Sequence, residues 1–453
     1  MSAPGRLTRE QLGDLVARGD VDTVIVAITD VQGRLQGKRL DATYFINDVV
    51  AGVSEGCAYL LACDVDMRTV DGFALTSWED GYGDLALRPD LSTIRRVPWH
   101  ERTAIVVADV ETVDGRAVAV SPRQILADQV ARLAARGWTG LAGTELEFLV
   151  FRETYEEAWD RGYRELTPAN QYNVDYSIQG TSRVEPLLGR VRRAMRGAGM
   201  EVESLKGECN FGQHEIAFKY APLVDKCDEH GLFKLGVKEI AAQHGVAVTF
   251  MAKFNEREGN SCHVHLSLRD EAGHPVFAGE GPYGFSRVFE NFLAGLVTYT
   301  GELTLLLAPN VNSYKRYVAG SFAPTALVWG LDNRTCAFRV VGHGPTLRVE
   351  CRIPGGDVNP YLAVAALVAA GMAGIEESLD LPAPVSGNAY ASDAPRVPAT
   401  LRQAIDLFET SRVAHGAFGD EVVAHYAHAA RVEMATFDAA VTDWERYRGF
   451  ERL

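Results

Sequence analysis

The chain has 453 residues, of which 47% are hydrophobic and 23% are charged, and its formal net charge is −15. This length exceeds what a single hydrophobic core usually fills, so we expect two domains, and the composition is typical of a globular enzyme rather than a disordered chain. The acidic balance argues against nucleic acids and anionic membranes as partners, because both require clustered cationic surface.

Cysteine usage and the N-terminal segment predict a location. The seven cysteines include no CxxC pair, which favours reduced thiols over a zinc ribbon or a redox motif. The sequence after Met1 lacks the apolar stretch of a signal peptide, and no apolar run reaches the roughly 18 residues that span a membrane. We therefore expect a cytoplasmic protein.

Helix-like and strand-like patterns alternate along the chain. A helix-like segment covers residues 8–17, and strand-like runs follow at 23–28 and 103–110. Later strand-like segments alternate with helices at 222–244 and 359–379. This mixture predicts an α+β fold.

A helix start marks the predicted domain boundary. Ser121 is interpreted as a capping residue and Pro122 as the first helical residue of an amphipathic stretch that Gly137 ends. We therefore place an N-terminal domain at residues 1–118 and a C-terminal domain at residues 119–453.

Two strand-like segments present chemically active side chains. In the segment 143–151, the alternation of side chains puts Glu145 and Glu147 on one face. A second segment does the same for His263 and His265. Adjacent carboxylates repel one another unless a cation lies between them, although a single strand of this kind more often marks a solvated face.

Two further segments add acidic and basic groups. An unbroken strand would send Glu208 and Glu215 to opposite faces, so they converge only if the chain turns, and Gly212 permits that turn. The alternative is an ordinary hairpin with exposed acids. In the run 347–352, three side chains share a face: Arg348, Glu350 and Arg352.

The acidic and imidazole side chains form a set suited to Mg²⁺ or Mn²⁺ and unlike the thiolate-rich sites of zinc. Its members are Glu145, Glu147, Glu208, Glu215, His263 and Glu350. Arginines that match phosphate or carboxylate oxygens cluster later in the chain at Arg316, Arg334, Arg339, Arg348 and Arg352. Together these groups favour an anion-binding cleft with metals that bridge nucleotide phosphates, over a basic surface patch.

Motifs in a fixed order carry a resemblance to a known family. They are DVQGRLQGKR at 30–39, GTELEF at 143–148, GQHEI at 212–216, HVH at 263–265, NSYKR at 312–316, NR at 333–334, RVECRIP at 348–354 and NPYL at 359–362. Through them the chain resembles bacterial glutamine synthetase along almost its whole length. It looks like the actinobacterial γ-glutamyl-amine ligases, which glutamylate ethanolamine or polyamines.

The resemblance implies an architecture and a reaction. It implies an N-terminal β-grasp domain, a catalytic domain with a curved antiparallel sheet and helices, and a homo-oligomer, a dodecamer of two hexameric rings whose active sites lie between neighbouring subunits. The reaction would use ATP and Mg²⁺ or Mn²⁺ to convert glutamate into γ-glutamyl phosphate, which an amine then attacks.

The resemblance also implies residue roles. One metal ion would be held by Glu147, Glu208 and Glu215, and a second by Glu145, His263 and Glu350, the last of these also counted as catalytic. The nucleotide would be served by His265, Ser267, Arg339 and Arg348. Glutamate would be clamped by Arg316 and Arg352 near Gly259, and Arg334 would stabilise the transferring phosphoryl group.

Departures from the family pattern fall at the amine. Asp71 keeps the position of the family's ammonium-facing aspartate, with Asp64 and Asp66 as other candidates, but Ala74 replaces a serine of the same loop. Phe322 replaces the glutamate that takes a proton from ammonium. Losing a carboxylate and a hydroxyl favours an amine with a carbon chain over ammonium.

Several functions therefore remain in view. A small amine such as ethanolamine suits Phe322 and Ala74 better than a polyamine, whose second ammonium would need a further carboxylate. The alternatives are a γ-glutamylpolyamine synthetase, a glutamine synthetase that uses ammonium, a phosphotransferase without ligation, and a non-catalytic structural protein of this family.

Overall fold

The computed structural model describes residues 5–453, in which helices and strands are mixed throughout. The helices are α1 (Arg9–Ala17), α2 (Ala42–Tyr44), α3 (Pro122–Ala134), α4 (Tyr155–Asp160), α5 (Ile178–Ser182), α6 (Glu185–Gly197), α7 (Leu223–Gln243), α8 (Arg287–Tyr299), α9 (Pro360–Glu376), α10 (Leu401–Glu409), α11 (Arg412–Phe418), α12 (Asp420–Ala439) and α13 (Asp443–Gly449). The strands are β1 (Thr23–Thr29), β2 (Leu35–Asp41), β3 (Ser54–Cys57), β4 (Asp84–Pro89), β5 (Arg95–Arg96), β6 (Thr103–Glu111), β7 (Trp138–Phe151), β8 (Val202–Gly207), β9 (Gln213–Phe218), β10 (Ala221–Pro222), β11 (Ala247–Thr249), β12 (Cys262–Asp270), β13 (Trp329–Leu331), β14 (Phe338–Val341) and β15 (Arg348–Cys351). Within residues 5–453, no helix is both long enough and apolar enough to cross a membrane.

The N-terminal part of the chain forms one sheet around β1 and β6. Its strands follow the order β2-β1-β6-β4-β3, and β5 also pairs with β6. β1 is antiparallel to β2 and parallel to β6. Before the sheet, Thr8 and Gln11 form a reciprocal capping box, which explains why α1 begins at Arg9.

The larger sheet is built around β7, a strand of 14 residues. Its strands follow the order β13-β14-β15-β12-β7-β9-β8, and β10 and β11 also pair with β7. Because β7 is hydrogen-bonded to β9 on one side and to β12 on the other, residues of one face form rows that cross several strands.

Helices cover one face of the larger sheet. Phe148 of β7 packs against Phe233 of α7 with ring centroids 6.3 Å apart, so the apolar face of β7 is directed to the helices. Behind them, α9 is buried over almost its whole length and packs on α8. The alternating carboxylates of β7 are consequently left on the opposite face.

Buried ion pairs join the two sheets through α3 and α7. The Arg123 guanidinium on α3 lies 3.1 Å from an oxygen of Asp228 on α7 and 2.7 Å from one of Asp90, which follows β4. Arg95 of β5 lies 3.3 Å from Glu229 of α7. The N-terminal sheet is therefore attached to the helices that support the larger sheet.

Several predicted elements agree with the structure, and one local prediction does not. The predicted helix at 222–244 corresponds to α7, and that at 359–379 to α9. Ser121 occupies the N-cap of α3, but its side chain makes no capping hydrogen bond, so its assignment as a side-chain cap is wrong. Pro122, whose fixed φ suits the first helical position, marks the start instead. All seven cysteines are free thiols.

Candidate active site

Three carboxylates converge where β7, β8 and β9 lie side by side. Glu215 of β9 is paired in register with Glu147 of β7. Glu208 follows the end of β8, and the chain turns back through Gly212, whose φ is +75°. The three side chains offer oxygens that all lie within 4.8 Å of one another. We name Glu147, Glu208 and Glu215 the carboxylate triad.

A second group forms where β7, β12 and β15 pair. Glu145 is opposite His263, and His265 is opposite Glu350. Glu145, His265 and Glu350 offer ligand atoms within 4.8 Å of one another, and we name them the mixed triad. His263 lies between its acids, because Nδ1 is 3.3 Å from Glu145 Oε2 and 3.4 Å from Glu350 Oε1.

The structure thus places both histidines of the HVH motif beside the second pair of acids. His263 was expected to bind a metal ion and His265 to serve the nucleotide. His265 Nε2 lies 3.0 Å from Glu145 Oε1, and His265 is the histidine that completes the mixed triad. Alternation along β12 had put both side chains on one face, but it could not rank their distances to the acids.

The carboxylate triad has too little positive charge around it. Burial raises the pKa of Glu147, and burial together with the charge of Glu145 raises that of Glu215. Burial and the charge of Glu147 raise the pKa of Glu208 to about 7. The protein therefore holds three carboxylates close together in surroundings that oppose their ionisation.

The mixed triad is electrostatically different. Burial opposes ionisation of Glu350, but the charges of His263 and Arg352 outweigh it and lower its pKa to about 2. Burial likewise opposes ionisation of Glu145, while hydrogen bonds from His263 and His265 lower its pKa. Glu350 has Arg339 and Arg352 as cationic partners, whereas Glu145 accepts hydrogen bonds from two imidazoles, and burial lowers the pKa of His263 itself.

Both groups have the donor chemistry of a divalent-ion site. Buried carboxylate oxygens that lack sufficient positive partners suit Mg²⁺ or Mn²⁺, which prefer oxygen ligands. In the mixed triad's neighbourhood, His263 Nε2 is buried and has no hydrogen-bond partner among residues 5–453. The residues therefore fit a divalent ion, and the carboxylate triad fits it better on charge alone.

One cavity is lined by the whole carboxylate triad and by Glu145 and Glu350 of the mixed triad. It has a volume of about 230 Å³, and we name it the acidic cavity. His263 also lines it. Its remaining wall includes Tyr176, Lys206, Gly259, Phe322, Arg334, Arg339 and Arg352.

A second cavity of about 280 Å³ begins at Glu145, and we name it the side cavity. His265, Ser267 and Arg348, three of the residues expected to serve the nucleotide, line it. Arg348 Nε lies 3.3 Å from His265 Nδ1. Because Glu145 lines both cavities, a ligand in the side cavity would reach the mixed triad.

The arginines of the acidic cavity and its surroundings differ in their hydrogen-bond partners. Arg339 donates to Glu350 Oε2 at 2.8 Å, and Arg352 also donates to Glu350. Arg316 is buried and donates to the Ile353 carbonyl at 2.8 Å and to Ser261 Oγ at 3.0 Å. Arg334 is exposed on the wall of the acidic cavity.

Gly259 and Phe322 shape the opposite wall of the acidic cavity. A Cβ atom on Gly259 would lie 2.3 Å from the Ala252 carbonyl oxygen and 2.5 Å from Arg316 Cγ, so a larger residue does not fit there. Phe322 has a φ of +59° and is 53% exposed. Its ring is therefore directed away from the core, at the mouth of the cavity.

The predicted amine loop lies elsewhere in the same chain. Phe73 is buried and its ring centroid is 4.6 Å from that of His425 on α12, which fixes the loop to that helix. The carbonyl of Asp71 lies 2.7 Å from His428 Nε2. Asp71 and Ala74 are exposed and do not line the acidic cavity as residues 5–453 form it. A single chain thus does not bring them to the triads.

Among the residues of the cavity wall that sequence reasoning missed are Lys206 and Tyr176. Lys206 of β8 is paired in register with Glu215, and its ammonium contacts Glu208. Tyr176, which has a φ of +53°, presents its ring to the same ammonium at 5.0 Å. Lys206 stands two positions before Glu208, and strand alternation could have indicated it.

Comparisons with known proteins identify the family. A family profile described as the catalytic domain of glutamine synthetase matches residues 119–448. The chain belongs to the glutamine synthetase family. The predicted α+β class and glutamine-synthetase-type catalytic domain are thereby confirmed, and enzymes of this family use ATP and divalent metal ions.

Two curated relatives in the glutamine synthetase family act on amines according to their names. The chain is 61% identical over 98% of its length to γ-glutamylethanolamide synthetase GlnA4 of Streptomyces coelicolor, of which 96% is covered. It is 38% identical to a glutamate–isopropylamine ligase of a Pseudomonas species, with 96% of each chain covered. A solved GmaS–ADP complex matches with a TM-score of 0.86 and 28% identity, covering 97% of this chain and 99% of that one.

Proposed function

We propose that this glutamine synthetase family member is an ATP-dependent glutamate–amine ligase whose acceptor is a small organic amine, with ethanolamine as the first candidate. The observation that carries the choice of acceptor is Phe322, an apolar ring at the mouth of the acidic cavity. An apolar ring cannot take a proton from ammonium, but it can contact the carbon chain of a larger amine. The similarity to relatives named for ethanolamine and isopropylamine supports the same choice.

The two triads, together with His263, whose buried Nε2 has no hydrogen-bond partner among residues 5–453, are the proposed metal-binding groups. Bound Mg²⁺ or Mn²⁺ would neutralise phosphate charge during phosphoryl transfer, with one ion for each triad. Glu350 also holds Arg339 and Arg352 in place through buried ion pairs. Its proposed catalytic role is therefore to fix the cationic wall of the acidic cavity as well as to bind an ion.

The side cavity is the proposed nucleotide site. His265, Ser267 and Arg348 line it, and Arg339, which donates to Glu350, lines the acidic cavity next to it. Arg348 carries donors that match phosphate oxygens. We propose that these residues bind and orient ATP so that its terminal phosphate is directed to the acidic cavity.

The acidic cavity is the proposed site for glutamate. Arg352 would bind its carboxylate, and Arg334 would stabilise charge on the transferring phosphoryl group. Gly259 allows this wall to pack closely on Ala252 and Arg316, because a side chain there would collide with both. Arg316 already donates to Ile353 and Ser261, so we propose that it positions this wall and contacts glutamate with its remaining donors.

The proposed reaction joins the γ-carboxylate of glutamate to the nitrogen of the amine through γ-glutamyl phosphate, with ADP and phosphate as further products. The amine must attack in its neutral form, and water must be excluded because it would hydrolyse the acyl phosphate. Phe322, at the cavity mouth, is suited to exclude water.

A substrate screen tests the proposal. Purified protein receives ATP, Mg²⁺, glutamate and one of ethanolamine, isopropylamine, a polyamine or ammonium, and phosphate release and product mass are measured. We expect kcat/KM for ethanolamine to exceed that for ammonium by at least about tenfold, the effect of about 1.4 kcal/mol of transition-state binding. A higher kcat/KM for ammonium would identify a glutamine synthetase. No release with any amine, together with no Mn²⁺ binding, would support the structural alternative.

Phe322 variants test the proposed acceptor pocket. We expect Phe322→Glu to gain ammonium-dependent turnover and to lose turnover with ethanolamine, because the new carboxylate attracts ammonium and removes the apolar contact. Phe322→Leu is the matched control and should keep the preference for ethanolamine. Unchanged ratios in Phe322→Glu would show that Phe322 does not contact the acceptor.

We further propose that the protein works as a homo-oligomer, a dodecamer in the cytoplasm, in which Asp71 and Ala74 complete the cavity of a neighbouring copy. Asp71 and Ala74 do not line the acidic cavity of their own chain, which supports a site shared between copies. The free thiols of the cysteines support a cytoplasmic location. We expect the Asp71→Asn and Arg334→Ala variants to be inactive when each is expressed alone. Coexpression should restore activity, because some mixed sites combine an intact Asp71 from one copy with an intact Arg334 from its neighbour. Absence of recovery in mixed particles of dodecameric mass would count against Asp71.

The boundary between residues 118 and 119, and the β-grasp assignment of the first domain, belong to the same proposal. The N-terminal sheet ends at Glu111 of β6, and α3 begins at Pro122. Limited proteolysis followed by mass spectrometry would test whether cleavage falls between these elements.

A further inference from the structure

The pairing of β8 with β9 fixes the position of Lys206 beside the carboxylate triad. Lys206 lies on β8 directly opposite Glu215, which is itself opposite Glu147 on β7. The three side chains therefore form one row across three strands, with the lysine at its end. The side chain of Lys206 is 25% exposed, and its ammonium contacts Glu208, whose side chain is 13% exposed.

This ammonium touches the carboxylate triad where a metal ion would be held. Mg²⁺ requires oxygen ligands at about 2.0–2.1 Å in a nearly octahedral arrangement, so an ammonium on a ligand oxygen competes with the ion for that oxygen. It also repels a dication at this distance. Either effect makes the lysine a competitor for the triad.

The ring of Tyr176 lies beside the same Lys206 ammonium. The ammonium lies 5.0 Å from the centre of the Tyr176 ring, a distance at which a cation is attracted to an aromatic face. The flexible lysine stem can shift the charge from Glu208 towards this ring. Tyr176 and Lys206 both line the acidic cavity, so the charge would stay in the cavity after the shift.

We propose that Lys206 is an internal counter-cation of the carboxylate triad, which a divalent ion displaces from Glu208 towards the ring of Tyr176. The displaced ammonium adds a positive charge to the cavity proposed to bind glutamate. Metal binding would thereby prepare the cavity for its acidic substrate. This inference rests on the proposed function in one respect, namely that the triad binds a divalent ion.

Metal affinity tests the displacement without any enzyme activity. Full-length protein freed of metal with a chelator is titrated calorimetrically with Mn²⁺ alone, in the absence of ATP, glutamate and amine. We expect Lys206→Met to bind Mn²⁺ about tenfold more tightly, because the competing cation is gone. Lys206→Gln should behave in the same way, and Lys206→Arg should retain the weaker affinity of the wild type.

A matched surface lysine controls for net charge. Lys219 lies beyond the end of β9 and forms an exposed ion pair with Glu201 at 2.9 Å, outside the acidic cavity. Lys219→Met removes the same charge, so its Mn²⁺ affinity should equal that of the wild type. An equal gain in Lys219→Met and Lys206→Met would overturn the inference by assigning the effect to overall charge.

Tyr176 provides the second arm of the test. If its ring receives the displaced ammonium, Tyr176→Leu should weaken Mn²⁺ binding in the wild type but should have no effect in Lys206→Met, a coupling that a double-mutant cycle measures. Mn²⁺ affinity that is unchanged or lower in both neutral Lys206 variants overturns this inference alone. Absence of Mn²⁺ binding in every variant overturns the proposed metal role, and this inference with it.

Discussion

The carboxylate triad and the mixed triad lie on the same face of the same sheet, yet their surroundings shift carboxylate pKa values in opposite directions. Glu350 of the mixed triad accepts from Arg339 and Arg352 and has a pKa lowered to about 2 by His263 and Arg352 in spite of burial. Glu208 of the carboxylate triad has a pKa raised to about 7 by burial and by Glu147. One group is neutralised by arginines of the protein, while the other has the Lys206 ammonium as its cationic contact.

The two triads therefore show two different effects of buried charge: ion pairing within the protein, and repulsion between neighbouring carboxylates. In the mixed triad, the buried carboxylate of Glu350 already has its cationic partners, so removing its charge alone leaves buried arginines unpaired. In the carboxylate triad, the acids repel one another, and a bound divalent ion would relieve that repulsion. The same substitution, Glu to Gln, should therefore have opposite effects on stability in the two groups.

The largest effect is expected for Glu350→Gln. Glu350 is fully buried, and removing its charge leaves Arg339 and Arg352 without their shared carboxylate. Breaking a buried ion pair in this way typically costs about 3–5 kcal/mol, so the free energy of unfolding in urea should fall by that amount and turnover should be lost. Glu55→Gln, at an exposed position of β3, is the control and should leave both unchanged. A stability loss below about 1 kcal/mol would contradict the internal neutralisation of the mixed triad.

His425, a buried histidine outside both triads, has a pKa that burial lowers in the absence of neighbouring carboxylates among residues 5–453. Burial lowers the pKa of His425 to about 4 from its ordinary value of 6.5, with a small contribution in the same direction from His428 and an opposing one from the Leu61 backbone. Between pH 6.5 and about 4, His425 therefore binds a proton in the unfolded chain but not in the folded chain. Stability should fall as pH drops from 6.5 to about 4, by up to about 3 kcal/mol from this group.

The measurement compares urea unfolding of the wild type and His425→Phe across that pH range. The difference between the two proteins should grow as the pH falls, and it should level off below pH 4. Since other carboxylates titrate in the same range, only the difference between the proteins reports on His425. A difference that is constant with pH would contradict the shifted pKa.

A smaller effect of opposite sign is expected for Glu215→Gln. Its carboxylate is buried among other carboxylates, so removing the charge relieves repulsion, and in chelator the protein should be more stable by about 1 kcal/mol. Mn²⁺ should bind at least about tenfold more weakly, because an oxygen ligand has lost its charge. Destabilisation in chelator would remove the contrast between the two triads.

The smallest effect is expected for Asp332→Asn. Asp332 contacts Arg339 at 2.6 Å, but its side chain is 72% exposed, unlike that of Glu350 on the other side of the same guanidinium. Exposed ion pairs contribute about 0.2–1 kcal/mol, so unfolding in urea should shift by no more than this. A loss comparable to that of Glu350→Gln would mean that Asp332 positions Arg339.

Much of the fold and of the candidate site followed from local pattern. Alternation along β7 and β12 put Glu145 beside Glu147 and His263 beside His265 on shared faces, and the structure has both strands there. Gly212 correctly indicated the turn that lets Glu208 and Glu215 converge. These features were readable because alternation and a positive φ depend on a few neighbouring residues.

Other features depended on which strands pair. The separation of the acids into two groups follows from the register of β9 and β12 on β7, and no residue of β7 alone specifies it. The membership of His265 in the mixed triad and the role of Lys206 opposite Glu215 have the same origin. The position of Asp71 beside α12, away from the triads, required the packing of Phe73 on His425.

The sequence by itself determined which side chains the protein can use: carboxylates and imidazoles suited to a divalent ion, arginines suited to phosphate, and the apolar ring of Phe322. Only the tertiary structure decided how charge is distributed among those groups. Side-chain type is a property of each residue, whereas the pKa of Glu350 or Glu208 depends on burial and on neighbours from distant strands. The contrast between the two triads could therefore appear only after the strands were paired.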